Sequence, residues 1–136
     1  MAPNDTARAR PVTAWEWVLR VAVLAASAVL LWEFVTAGQL ITHNLDALPF
    51  HYAGALAVHV TTGAQLLAAG ALWSRGGRGP GNDRTVLLLS LGAFVVGFPQ
   101  AALGTYGPLQ AHVPLALLLV SLVVWSAVLV FRRRSA

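Results

Sequence analysis

The chain of 136 residues has no cysteine, and its charged residues are scarce. Without cysteine it cannot form a disulfide, a zinc thiolate site, an iron–sulfur cluster or a covalent c-type haem attachment. Only 10% of the residues are charged, 57% are hydrophobic, and the mean hydropathy is +0.69. A soluble domain of this size needs a far more polar surface, so the composition predicts an integral membrane protein.

Four apolar stretches account for most of the chain, and each reaches the roughly 20 residues that a helix needs to cross a bilayer. We therefore predict an all-α fold, an integral membrane four-helix bundle with spans at residues 15–37, 49–73, 85–105 and 108–131. This domain, residues 15–131, lies between a polar tail at 1–14 and a basic tail at 132–136.

The distribution of positive charge predicts how the bundle is oriented. All nine basic residues are arginines, and they lie in the N-terminal segment, in the loop after the second span and in the C-terminal tail. With four spans these segments share one side, which the positive-inside rule makes cytoplasmic. We expect a multi-pass protein of the cell inner (cytoplasmic) membrane with both termini cytoplasmic. The net charge of +4 then indicates a lipid bilayer with anionic headgroups as the partner, and no nucleic acid.

The histidines lie on the opposite side or in the opposite half of the spans, at His43, His51, His59 and His112. An ionisable side chain within a span is costly and usually marks a functional site. Imidazole suits haem iron, copper and zinc. His43 is in a loop, where a solvated side chain is expected. Glu33, near the outer end of the first span, is either an interfacial carboxylate or the hydrogen-bond partner of a histidine on a neighbouring helix.

Depths can be counted from the inner arginines at about 1.5 Å per residue. His112 then lies roughly 30 Å above Arg132. His59 and His51 lie roughly 24 and 36 Å above Arg75. His112 falls between the other two, and helix tilt can absorb the difference of one turn. We prefer a haem, suspected to be b-type, held between His112 and His59, with His51 near the outer edge of the macrocycle; His51 remains a candidate iron ligand.

Small residues and one glutamine complete the predicted cofactor site. Gly63 and Ala116 each follow a candidate ligand by four residues, which leaves room for a porphyrin edge. Gly97, Gln100 and Gly104 share one face of the third span. Gln100 is at membrane depth and needs an internal partner. The predicted cofactor-binding residues are therefore His51, His59, Gly63, Gln100, His112 and Ala116.

Two short motifs resemble the haem A synthase family: QAALG at Gln100–Gly104, and AHVPLALLL from Ala111. That family is built from two similar four-helix halves, each with facing histidines on its second and fourth helices. The chain resembles one such half. The resemblance implies haem ligation by His112 and by His59 or His51, and a role in electron transfer, haem handling or terminal-oxidase assembly. The partners implied are a respiratory oxidase or its assembly factors, and a homo-oligomer would rebuild the two-site arrangement.

Other interpretations remain open from the sequence. The chain could be a non-enzymatic accessory subunit of a respiratory complex, with histidines that are structural or contact a quinone. The histidines could instead only hydrogen-bond between helices, or hold copper or zinc on the outer side. Whether the protein is an enzyme stays open, because the glutamate and arginine that usually accompany the family's second-helix histidine do not follow His51 or His59.

Overall fold

A computed structural model describes residues 12–76 and 84–132, and the four predicted helices are present in it. Within these residues there is no β-strand. The prediction of an all-α four-helix bundle is confirmed. The predicted tails lie almost entirely outside the described residues. The helices are α1 (Ala14–Ile41), α2 (Leu48–Ser74), α3 (Arg84–Tyr106) and α4 (Leu109–Phe131), with one 3₁₀ turn (Leu45–Ala47) before α2.

The outer surface of the bundle is apolar. Each of the four helices is long and apolar enough to cross a membrane. Large apolar side chains point away from the core, and the exposed fractions of Leu31, Leu56 and Leu67 are 68, 68 and 72%. Such a surface would be unstable in water and is suited to lipid. The chain is a multi-pass membrane protein.

Each helix packs against its neighbour in the chain, and α4 packs against α1 to close the bundle. The buried core comprises two clusters. One surrounds Leu19, Val23 and Val86, and the other surrounds Leu30, Val58 and Leu119. A fully buried polar pair also joins α2 to α3, with the Gln65 amide donating to the Ser90 hydroxyl at 2.9 Å. Small and polar contacts of this kind hold membrane helices together where lipid offers no hydrophobic drive.

The ends of α1 explain its length. It begins with a capping box, in which Thr13 and Glu16 bond to each other's backbone amides. It continues to Ile41, past the predicted end of the span at residue 37. A left-handed residue, His43 with φ of 65°, then terminates it.

His43 therefore has a backbone role. The amide of His43 donates to the Leu40 carbonyl and that of Asn44 to the Gln39 carbonyl, both at 3.0 Å, which is the Schellman pattern of helix termination. Glycine is the usual residue at this position, since it adopts positive φ without strain.

We expect His43→Gly to leave the stability of the bundle unchanged or slightly raised. His43→Val should lower it by about 1 kcal/mol or more, because a β-branched residue strongly disfavours this conformation. Thermal unfolding in detergent, followed by circular dichroism, measures both. Equal stability of the two variants would contradict this backbone role.

Candidate functional site

All four helices contribute to one cavity of about 250 Å³ near the end of the bundle where α1 stops and α2 begins. We call it the histidine cavity, because two of the four histidines line it. The polar side chains in its wall are those of Glu33, His51, Gln100 and His112, and the remaining residues are apolar or small. The apolar side includes Leu30, Phe34, Val113 and Leu119.

His51, in the first turn of α2, points its ring toward α1. Its Nδ1 lies 2.9 Å from the Thr36 hydroxyl oxygen and 3.2 Å from Glu33 Oε2. The Thr36 hydroxyl gives its own hydrogen to the carbonyl of Trp32 or Glu33, each 3.1 Å away. With Glu33 ionised, both neighbours of Nδ1 accept hydrogen bonds, and the tautomer that matches them carries its proton on Nδ1 and its lone pair on Nε2. Glu33 is the partner of a histidine on the neighbouring helix, the second of its two expected roles.

His112 lies in the first turn of α4. A contact with α3 keeps its proton on Nδ1 as well. Its Nδ1 donates to the backbone carbonyl oxygen of Gln100 at 2.7 Å. The side-chain amide nitrogen of Gln100 is 3.4 Å from both ring nitrogens, a long contact that leaves Nε2 without a tight partner. The Gln100 side chain thus contacts His112 within the bundle but makes no tight hydrogen bond to it.

Two glycines make space for these polar groups. A Cβ atom at Gly104 would lie 2.7 Å from Cε1 of His112, so the imidazole occupies the volume that a side chain would need. A Cβ atom at Gly54 would overlap the Glu33 carboxylate in the same way. A Cβ atom at either position would force the neighbouring side chain to move, so glycine leaves the space in which Glu33 and His112 lie.

His59 lies on a different side of α2, in the seam with α3. Its Nδ1 donates to the carbonyl of Ala55 at 2.8 Å, and its ring meets that of Phe98 edge to face with 4.6 Å between centroids. Its Nε2 is buried with no hydrogen-bond partner among the described residues, and it faces Gly97. His59 lines a shallow groove with Leu56, Phe94 and Phe98, separate from the histidine cavity.

The predicted cofactor residues are therefore divided between two sides of α2. The histidine cavity brings together His51, Gln100, His112 and Ala116. It does not include His59 or Gly63, and the Gly63 backbone faces the ring of Phe94 across the seam. The pair preferred from the sequence, His59 with His112, does not share this cavity, whereas His51 with His112 does. The role of each histidine as an iron ligand stays a prediction.

Thr36 was not identified from the sequence. It is 2% exposed and completes the hydrogen bonding of His51 Nδ1. The sequence spacing did indicate this role, because a threonine three residues after Glu33 lies on the same helix face as that carboxylate.

The donor set determines which cofactors the histidine cavity could hold. Within residues 12–76 and 84–132, no three histidine, aspartate or glutamate side chains are grouped so that they could hold a metal ion. Zinc and copper sites use three or four protein ligands, so the described residues give no support to the copper or zinc interpretation. Two imidazoles whose Nδ1 atoms are hydrogen-bonded instead suit a group that brings most of its own ligands.

Comparisons of the chain with protein-family models, with characterised proteins and with solved structures find no match. The functional argument therefore depends on the geometry of the histidine cavity.

Proposed function

We propose that the protein binds haem in the histidine cavity, where His51 and His112 would hold the iron through Nε2. The observation that supports this is that two imidazoles from different helices line one largely apolar cavity, each with Nδ1 already hydrogen-bonded. Histidines that ligate metals almost always donate their other ring N–H to a carboxylate or a carbonyl. His51 has the carboxylate and His112 has the carbonyl.

The residues present fit this group. A porphyrin supplies four nitrogen ligands itself, so a haem needs only two from the protein, the number that the cavity offers. Small side chains at Ala37, Ala55 and Ala116 leave space beside the imidazoles for a flat ring. Held by His51 and His112, a haem would supply reversible one-electron chemistry.

The proposed biological role follows from the site and from the charge pattern. The protein resembles one half of a haem A synthase and would act in electron transfer, haem handling or terminal-oxidase assembly. Its site would lie near the outer face of the cell inner membrane, because the arginine-rich segments favour the cytoplasmic side. A respiratory oxidase or its assembly factors would be the partner.

An absorption spectrum tests the proposal directly. The full chain, purified in detergent and incubated with ferric haem b, should give a reduced-minus-oxidised difference spectrum with the sharp bands of a six-coordinate, low-spin haem. A spectrum identical to that of free haem in the same detergent would refute haem binding. It would favour the interpretation as an accessory subunit with structural histidines.

Glu33 should influence the haem through His51. Glu33→Ala removes an acceptor from Nδ1 and is expected to lower haem affinity about tenfold, at the low end of the ~10–100-fold range for such partners, because Thr36 still accepts. Glu33→Gln keeps a side-chain acceptor, so its haem affinity should fall by less than that of Glu33→Ala. Haem titrations followed by absorbance measure both. Unchanged affinity in Glu33→Ala would show that this contact does not support the ligand.

A further inference from the structure

The guanidinium of Arg20 lies at the end of the bundle opposite the histidine cavity, where α1 begins and α4 ends. Arg20 is six residues beyond Ala14, the first residue of α1, so it lies roughly 9 Å along the helix axis. Its Cζ is 5.6 Å from the ring centroid of Trp17 and 6.0 Å from that of Phe131. Because Phe131 belongs to α4, the guanidinium bridges the boundary between the two helices.

The charge of Arg20 is not paired with an acid of the protein. Among residues 12–76 and 84–132, its guanidinium makes no hydrogen bond or ion pair and interacts only with the two rings. The only acidic side chain described at this end of the bundle is Glu16, which accepts a hydrogen bond from the Thr13 amide at 2.7 Å. The N–H groups of the guanidinium must therefore find their acceptors outside the bundle, in water or in lipid.

The surface around Arg20 favours a lipid. Trp17 and Phe131 are 57% and 46% exposed, and behind them the inner ends of α1 and α4 share one buried core cluster. Arg132 follows Phe131 directly and is exposed, which adds a second positive charge where α4 ends. Basic groups between membrane helices bind anionic lipid headgroups, and a planar guanidinium can bind two phosphate oxygens at once.

We propose that Arg20 is the centre of a specific site for one anionic phospholipid at the α1–α4 boundary. The guanidinium binds the phosphate oxygens, Arg132 adds to the attraction, and the acyl chains lie on the apolar surface beside Trp17 and Phe131. The site does not depend on haem, because it lies at the other end of the bundle. It also differs from a general attraction between arginines and anionic lipid, which requires no particular arginine.

Arg75 provides the matched control. It ends α2 on the same side of the bundle, carries the same charge and lies over one ring, that of Trp15, at 5.4 Å. It is exposed, whereas Arg20 is partly buried between two rings. Arg20→Gln and Arg75→Gln remove the same charge from the same surface, so only a specific site can distinguish them. Arg20→Lys keeps the charge but loses the planar group that binds two oxygens.

Native mass spectrometry of the full chain in detergent, titrated with phosphatidylglycerol or phosphatidylcholine, measures the affinity for the first bound lipid. The wild type should prefer phosphatidylglycerol about fivefold or more, the effect of one well-placed arginine. Arg20→Gln should lose this preference, Arg20→Lys should lower it about twofold, and Arg75→Gln should keep it. Circular dichroism checks that each variant is folded.

Three results would overturn the inference: a wild type without preference, an equal loss in Arg20→Gln and Arg75→Gln, or displacement of bound phosphatidylglycerol by the same concentration of inorganic phosphate. If Arg20→Gln does not fold, an unchanged preference in Arg20→Lys would also contradict the proposed contact.

Discussion

Replacing His112 with alanine is expected to abolish haem binding, with a loss of affinity of more than about 100-fold. The estimate follows because losing a group that merely hydrogen-bonds to a ligand already costs about 10–100-fold. His112 is hydrogen-bonded to α3 and lines the same cavity as His51. His51→Ala should therefore lower haem affinity by a similar factor. Haem titration of each purified variant, followed by the reduced-minus-oxidised spectrum, measures the effect.

Two further histidine variants serve as controls for this prediction. His59→Leu removes the imidazole from the α2–α3 seam with little change of volume, and His43→Gly removes an imidazole from the αL position after α1. Both should bind haem as the wild type does. Loss of the spectrum in His59→Leu, with the spectrum retained in His51→Ala, would show that His59 is the partner of His112 and that the cavity is not the haem site.

Gly104→Ala is expected to lower haem affinity about tenfold or more, although it adds only one methyl group. The new Cβ would lie 2.7 Å from Cε1 of His112, closer than atoms can pack, so the ring must turn. Turning it breaks the 2.7 Å hydrogen bond from Nδ1 to the Gln100 carbonyl and points Nε2 elsewhere. A group that orients a metal ligand in this way is worth about 10–100-fold in affinity. Haem titration measures the loss.

The matched control for Gly104→Ala is Gly92→Ala on the same helix. There the added Cβ would meet the Leu122 side chain at 3.5 Å, an ordinary contact, so haem binding should be unchanged. Circular dichroism should show the same helix content in both variants. If Gly104→Ala bound haem as tightly as Gly92→Ala, the contact of the His112 ring with α3 would have no effect on haem binding.

Hydropathy and length were sufficient to predict the four helices, because lipid forces every backbone group of a span into internal hydrogen bonds and leaves the helix as the simplest solution. α1 extends to Ile41 because its termination depends on the αL conformation of His43, a residue that carries no strong turn signal. Polar residues at membrane depth were also informative: Gln100, expected to need an internal partner, contacts His112.

The sequence by itself determined the class of protein, the number of helices and the segregation of arginines from histidines, since these depend on composition and order along the chain. It could not determine which histidine of α2 shares a cavity with His112. His51 and His59 differ by about 80° around the helix and by two turns along it, and tilt can compensate for either difference in depth. The tertiary structure decided this, because Gly97 admits the His59 ring into the α2–α3 seam while Thr36 and Glu33 draw His51 toward α1. Such side-chain contacts arise only when helices pack.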